Sequence, residues 1–242
     1  MKDRIFMVGS GSLGCKLTNE YDCNMYLLVG GSSAALIDSG AGIDPQAVIA
    51  QIRACGFDES LIEAIFLTHA HADHAGGAAE LQRLTGASVY CPKETARVVR
   101  EGDEEANGLR QARLDGIYPP DYRFEACPSA IAAADGASIA IGDVTLKFLA
   151  SPGHSSDHAS LYCPELRALF SGDAVFAGGK IAAIGTPDFS MEALASSIRK
   201  LAELNVMHLF PGHGSPVIGT GSKDVREAME IFAGGGIPKS IV

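Results

Sequence analysis

An α/β fold is the class that this 242-residue sequence predicts, and three observations support it. Short apolar runs of strand type alternate with longer segments of helical type along the chain. The alternation occurs in two similar halves, with the break near residue 130. Hydrophobic residues make up 47% of the chain, which is enough for the core of one large domain or of two small ones.

The first half begins with strands and continues with alternating helices and strands. A hairpin is predicted where Gly30-Gly31-Ser32-Ser33 joins two apolar runs. The first helix is predicted to begin at Asp44, which caps it, with Pro45 in its first turn and Gly56 at its end. The predicted strands span residues 4–8, 24–30, 34–38, 63–67 and 87–91. The predicted helices span residues 45–54, 75–84 and 93–116.

The second half follows a predicted loop over residues 117–136, which carries prolines and tyrosines. The predicted strands span residues 137–149, 159–163, 167–171 and 206–210, and the predicted helices span residues 190–203 and 222–233. Because periodicity reports local structure only, these elements indicate an α/β class without fixing its topology.

Residues of metal-ligand type are concentrated in the segment Thr68-His69-Ala70-His71-Ala72-Asp73-His74. Imidazole and carboxylate groups bind zinc and its neighbours in the transition series. A regular helix or strand would not direct all four side chains to one point, whereas a tight loop after the buried strand can do so. A surface loop that is rich in histidine by chance is the alternative, and it is disfavoured because further ligand-type residues follow.

Three later residues of ligand type occur in a similar setting. Each follows an apolar, strand-like run and comes directly after a glycine, which lets the backbone turn sharply. These residues are His154, Asp173 and His213. In the order and context of its ligand residues, the chain resembles the metallo-β-lactamase superfamily from about residue 3 to residue 220, in particular its glyoxalase II and lactonase-like branches.

The resemblance implies a four-layer αββα sandwich, in which two mixed β-sheets face each other and helices cover both outer faces. It also implies a single domain over residues 1–242. A helical and loop insertion at about residues 93–136 is expected to cover the site, because the segment between His74 and His154 resembles that of lactonases. Few residues follow His213, so we expect no helical glutathione-binding domain of the glyoxalase II type.

The resemblance further implies two divalent metal ions, expected to be zinc, with iron or manganese as alternatives. The implied ligands of the first ion are His69, His71 and His154. The implied ligands of the second ion are Asp73, His74 and His213, and Asp173 would bridge the two. A hydroxide shared by the ions would attack a carbonyl centre, so we expect a hydrolase of an ester, lactone or thioester. Asp73 and Asp173 are accordingly interpreted as catalytic residues.

Two other functions are compatible with the same ligand pattern. The first is a mononuclear non-haem iron oxidoreductase similar to the persulfide dioxygenases. The second is a phosphodiesterase or a metal-binding module without turnover. The number and identity of the bound metal ions separate the hydrolase from the iron enzyme.

Four further side chains are candidates for roles around the metal ions. Asp38, at a strand end, is expected either to hydrogen-bond the metal loop or to cap its own turn. Tyr118 or Tyr122 could hydrogen-bond a substrate carbonyl or leaving group. His158 is interpreted as a surface residue or as part of the pocket lining.

Charge and apolar pattern exclude several classes of partner. The net charge of −10 argues against nucleic acid and anionic membranes, so a small-molecule substrate is expected. No apolar stretch reaches the roughly 18 residues of a membrane-spanning helix. Residues 1–6 lack the long apolar core of a secretory signal, so we expect a cytoplasmic protein, with a homodimer possible. The six cysteines form no CxxC pair and are expected to be reduced, with packing roles.

Overall fold

The computed structural model describes residues 4–242, and the contacts within the chain divide it into two compact units. The N-terminal unit extends to Ala133 and includes Ile141–Asp143. The C-terminal unit comprises Ala134–Ala140 and Val144–Val242. The fold is built on two mixed six-stranded sheets.

The N-terminal sheet has its strands in chain order. They are β1 (Ile5–Gly9), β2 (Met25–Val29), β3 (Ala34–Ile37), β4 (Ile62–Phe66), β5 (Ser88–Pro92) and β6 (Ile131–Ala133). The helices of this unit are α1 (Pro45–Ala54), α2 (Ala72–Ala75), α3 (Ala78–Thr85), α4 (Lys93–Glu101) and α5 (Leu109–Leu114), with a 3-10 turn at Glu59–Leu61.

One edge of the N-terminal sheet carries the ligand-type residues. Strands β3 and β4 are parallel, so their carboxyl ends lie at the same edge, where Asp38 and the Thr68–His74 segment follow. Strand β2 is antiparallel to β3 and therefore begins at that edge, directly after Cys23 and Asn24.

The second sheet consists of β7 (Ser138–Ile141), β8 (Val144–Ala150), β9 (Ala159–Cys163), β10 (Ala168–Gly172), β11 (His208–Pro211) and β12 (Val217–Ile218). Two helices, α6 (Met191–Ala202) and α7 (Gly221–Ala233), belong to this unit. Strands β8 and β10 are both antiparallel to β9, and β11 is parallel to β10. The carboxyl ends of β8, β10 and β11 therefore lie at one edge, where His154, Asp173 and His213 follow.

Each unit has its own hydrophobic core. Fully buried Leu36 and Ile65 belong to the core of the N-terminal unit. Leu169 of β10, Leu209 of β11 and Ile198 of α6 belong to that of the C-terminal unit. Full burial of one such side chain stabilises the folded state by roughly 1.5–3 kcal/mol. Both strand edges are thus supported by packed apolar residues.

Most predicted elements are confirmed, and two of the differences occur at glycines. The helix predicted over residues 93–116 is wrong as one element, because α4 ends before Gly102, whose φ of 65° lies in the left-handed region. The strand predicted over residues 137–149 is two strands, which turn at Gly142 with a φ of 55°. The loop predicted over residues 117–136 contains β6. The predicted helix 75–84 corresponds to α3, and the short helix α2 precedes it.

Two expectations about the whole chain meet the structure in part. All six cysteines are free thiols; the buried ones are Cys23, Cys91, Cys127 and Cys163. Within residues 4–242, helices with the length and apolar character of a membrane span are absent. The prediction that residues 1–6 lack the apolar core of a secretory signal includes residues 1–3, which lie outside the described residues.

Candidate metal centre

The predicted metal loop forms a sharp turn that leads directly into a helical turn. Backbone N–H groups of His74 and Ala75 donate to the carbonyl of His71 at 3.0 and 2.9 Å. Helix α2 begins at Ala72, so Asp73 and His74 lie on its single turn. The sequence had predicted instead that the helix begins after them, at residue 75. His69 and His74 are fully buried, whereas His71 and Asp73 are partly exposed.

Ligand atoms of this segment approach each other closely. His69 Nε2 and His71 Nδ1 are 3.0 Å apart, and His74 Nε2 is 3.5 Å from Asp73 Oδ2. Two nitrogens that each lie 2.0–2.1 Å from a tetrahedral zinc ion would be about 3.3 Å apart. The first pair therefore fits the spacing of two ligands that share one cation.

Asp38 orients two of these histidines. One of its carboxylate oxygens accepts from the Thr68 backbone N–H at 2.8 Å, and the other accepts from the Thr68 hydroxyl at 3.0 Å. His74 Nδ1 donates to the same carboxylate at 2.9 Å. Because the Thr68 hydroxyl donates to Asp38, it accepts from His69 Nδ1, which lies 2.9 Å away. Both rings are thereby held with Nε2 unprotonated, the form that binds a metal.

The backbone of Asp38 adopts an unusual conformation. Its φ of 58° lies in the left-handed region, which is uncommon for a residue other than glycine. Its side chain contacts the metal loop, which agrees with the first of the two sequence interpretations.

The sequence predicts a packing role for Cys23 but does not place it beside the metal loop. Its backbone N–H donates to the Asp73 carbonyl at 3.2 Å, and its thiol lies within 4.8 Å of the ligand atoms of Asp38 and His74. Burial raises the pKa of the Cys23 thiol well above its usual value, and the neighbouring His74 opposes this only in part. The thiol is thus a neutral packing group, and only the antiparallel pairing of β2 with β3 places it here.

The ligand-type residues of the C-terminal unit meet at one carboxylate oxygen. Nε2 of His154 lies 3.5 Å from Oδ2 of Asp173, and Nε2 of His213 lies 3.4 Å from the same atom. All three side chains are buried. His154 Nδ1 donates to the Ala182 carbonyl at 3.2 Å, which leaves Nε2 as its ligand atom.

The glycines before these ligands have the predicted role at two of three positions. Gly172 has a φ of 50° and Gly153 a φ of 139°, and a Cβ atom at Gly153 would lie 2.3 Å from the Leu194 backbone nitrogen. Gly212, before His213, is not in the left-handed region.

His158 and His208 make structural contacts. His158 is 1% exposed, so its interpretation as a surface residue is wrong. Its Nδ1 lies 2.9 Å from the Ser151 hydroxyl, and its Nε2 accepts from the Asp173 backbone N–H at 3.0 Å. His208 accepts from the Gly219 backbone N–H at 3.0 Å.

The two tyrosines of the insertion differ in their hydroxyl groups. Tyr122 is buried and donates to the Ala41 carbonyl at 2.6 Å. Tyr118 stacks between Tyr122 and Tyr21, with ring centroids 5.2 Å apart on each side. Within the described part of the chain, the Tyr118 hydroxyl has no hydrogen-bond partner. Burial and then the Asp73 carboxylate raise the pKa of both phenols, so both remain protonated donors at neutral pH.

The seven predicted ligands all belong to candidate metal-binding groups. Each such group contains at least three His, Cys or Asp side chains whose ligand atoms lie within 4.8 Å of one another. A model of the metallo-β-lactamase superfamily matches residues 18–213, a segment that includes all of them. The chain belongs to the metallo-β-lactamase superfamily.

Named relatives of this superfamily member include hydrolases. A hydroxyacylglutathione hydrolase, GloC, from Haemophilus influenzae is 30% identical over 76% of this chain and 81% of its own length. An atrochrysone carboxyl ACP thioesterase from Aspergillus fumigatus is 32% identical over 80% of this chain and 51% of its own length. This chain spans only 51–60% of the length of the first curated relatives that it matches.

Solved structures of the superfamily share the fold. A metallo-β-lactamase family protein from Thermus thermophilus has a TM-score of 0.72 and 23% identity, with 95% of this chain and 79% of that chain covered. At this identity the likeness concerns the fold alone. It confirms the predicted fold class, to which each unit contributes a mixed six-stranded sheet and helices.

Proposed function

We propose that this protein is a metal-dependent hydrolase with a binuclear centre that cleaves a thioester, ester or lactone. The observation that carries the proposal is the hydrogen bonding of Asp38, which leaves Nε2 of both His69 and His74 available as metal ligands. The names of the two relatives, a thioesterase and a hydroxyacylglutathione hydrolase, favour a thioester.

The donor set fits two divalent cations. The proposed ligands are His69, His71, Asp73, His74, His154, Asp173 and His213. They comprise imidazole and carboxylate groups without thiolate, which suits zinc, iron or manganese; we propose zinc. When bound, two such ions would supply a hydroxide nucleophile at neutral pH and polarise the carbonyl of the substrate.

The residues of the chain have three proposed tasks in this reaction. Asp38 and the Ala182 carbonyl hold the imidazoles in the tautomer that presents Nε2. Asp73 and Asp173 supply carboxylate oxygens beside those nitrogens, at 3.4–3.5 Å. Their negative charges offset the charge of the cations, so we count both as catalytic residues.

We propose that Tyr118 contacts the substrate. Its hydroxyl is protonated at neutral pH and available to donate, so it can bind a carbonyl oxygen or a leaving group. The Tyr122 hydroxyl already donates to Ala41, so its contribution to a substrate would be limited to accepting a hydrogen bond. The insertion at about residues 93–136 would in this way shape the substrate site.

The test is a substrate panel assayed with metal-replete protein. We expect hydrolysis of thioesters, esters or lactones, with thioesters fastest, and no turnover of phosphodiesters. Chelation should abolish the activity and added zinc should restore it. Oxygen consumption with a persulfide substrate and one equivalent of iron would instead establish the dioxygenase alternative and refute the proposal.

A further inference from the structure

A chain of buried polar side chains extends away from Asp173 within the C-terminal unit. It runs through His158, Ser151 and Ser160 to the carbonyl of Ser171, and all of these residues are at most 1% exposed. The Ser151 hydroxyl lies 2.9 Å from both His158 Nδ1 and Ser160 Oγ, and the Ser160 hydroxyl donates to the Ser171 carbonyl at 3.3 Å.

The direction of every hydrogen bond in this chain is fixed from both ends. The Asp173 backbone N–H can only donate, so His158 Nε2 accepts and carries no proton. The Ser171 carbonyl can only accept, so the Ser160 hydroxyl donates to it and accepts from Ser151. Ser151 in turn accepts from His158 Nδ1–H. One neutral tautomer of His158 satisfies all four contacts.

We infer that His158 is a positioning residue for Asp173. The proton on Nδ1, held by Ser151, keeps Nε2 as an acceptor for the Asp173 backbone amide. This contact is made at the residue whose carboxylate lies beside His154 and His213, so it restricts where the carboxylate oxygens can lie. The inference rests on the proposed function only in the role of Asp173 as a metal ligand.

The same series of hydrogen bonds connects two loops that carry proposed metal ligands. Ser151 directly follows β8 and lies three residues before His154, and its backbone N–H donates to the His158 carbonyl at 3.0 Å. His158 is therefore held through its backbone as well as its ring. A packed, fully hydrogen-bonded ring of this kind keeps a ligand in position better than a mobile one.

The test uses His158→Leu, which removes the hydrogen bonds of both ring nitrogens, and His158→Gln, whose amide has one accepting and one donating atom. His208→Leu is the matched control, because His208 also accepts a backbone N–H at 3.0 Å but serves Gly219. Metal affinity is measured by competition with a chromophoric chelator. Exchange of the Asp173 amide hydrogen is measured by NMR on metal-free protein.

We expect His158→Leu to weaken metal binding at least about tenfold. Loss of a hydrogen-bond partner that positions a metal ligand lowers metal affinity by about this factor or more. His158→Gln should recover most of the affinity, and Ser151→Ala should lose less than His158→Leu. The Asp173 amide should exchange faster in His158→Leu but not in His208→Leu. Equal losses in His158→Leu and His208→Leu, or an unchanged Asp173 amide, would overturn the inference. Wild-type protein that binds no metal would refute the proposed function, and amide exchange would still decide the role of His158.

Discussion

The two sets of ligand-type residues are built in opposite ways. In the N-terminal unit, the four proposed ligands come from one segment of the chain, Thr68–His74, and a single carboxylate, Asp38, hydrogen-bonds so as to orient two of them. In the C-terminal unit, the three proposed ligands come from three strand ends, and separate groups support them. The first set is local in sequence, and the second depends on the register of a whole sheet.

This difference predicts which single substitution should disturb each set most. The local set depends on the one carboxylate behind its imidazoles, so one substitution there should disturb two ligands. The dispersed set converges on the Asp173 carboxylate, so its loss should affect His154 and His213 together.

The largest effect is expected from Asp173→Ala. This change removes the carboxylate beside two imidazoles, so we expect the loss of one metal ion and a fall in kcat of at least about a hundredfold. Metal analysis and steady-state kinetics check the result. Asp135→Ala is the control, because Asp135 pairs with Lys200 on an exposed face of the same unit. Near-normal turnover of Asp173→Ala at equal metal content would contradict the binuclear assignment.

A smaller effect is expected from Asp38→Asn. Asparagine tolerates the left-handed backbone of this position, so the change removes charge without adding strain. The amide can no longer accept every donor that Thr68 and His74 provide, so metal affinity should fall about 10–100-fold. Chelator competition measures the affinity. If Asp38→Asn binds metal as tightly as wild-type protein, Asp38 only stabilises its own turn.

The tyrosine pair should separate specificity from stability. Tyr118→Phe should change the ratio of the kcat/KM values for two substrates by a factor that corresponds to about 1–3 kcal/mol. The metal content should stay unchanged. Tyr122→Phe leaves the buried Ala41 carbonyl without its donor, so it should instead lower the free energy of unfolding by about 1–3 kcal/mol. Kinetics on an ester and thioester panel and denaturant unfolding measure the two effects. The reverse assignment would show that Tyr122 is the residue that contacts the substrate.

The smallest effect is expected from Arg110→Ala. The side chain of Arg110 is 71% exposed and pairs with the equally exposed Glu105, and such surface pairs contribute about 0–1 kcal/mol. Stability and kcat/KM should both stay near wild-type values. A selective loss of activity toward carboxylate-bearing substrates would show instead that Arg110 binds them.

Local features could be predicted from the sequence, and contacts between distant segments could not. The His-x-His-x-Asp-His segment and the residues after β8, β10 and β11 were recognised because each follows an apolar run. The position of Cys23 was missed because only strand pairing brings it to His74. The surroundings of His158 were missed because its hydrogen-bond partners Ser151 and Asp173 follow two different strands, β8 and β10. The turns at Gly102 and Gly142 were missed because a single glycine does not reveal its φ.

The binuclear centre is tested most directly by a calorimetric titration of metal-free protein with Zn²⁺, with the Asp173→Ala variant titrated in parallel. The proposed binuclear centre should bind two equivalents in wild-type protein and one in the variant. Saturation of wild-type protein at one equivalent, or the same stoichiometry for both proteins, would contradict a binuclear centre that depends on Asp173.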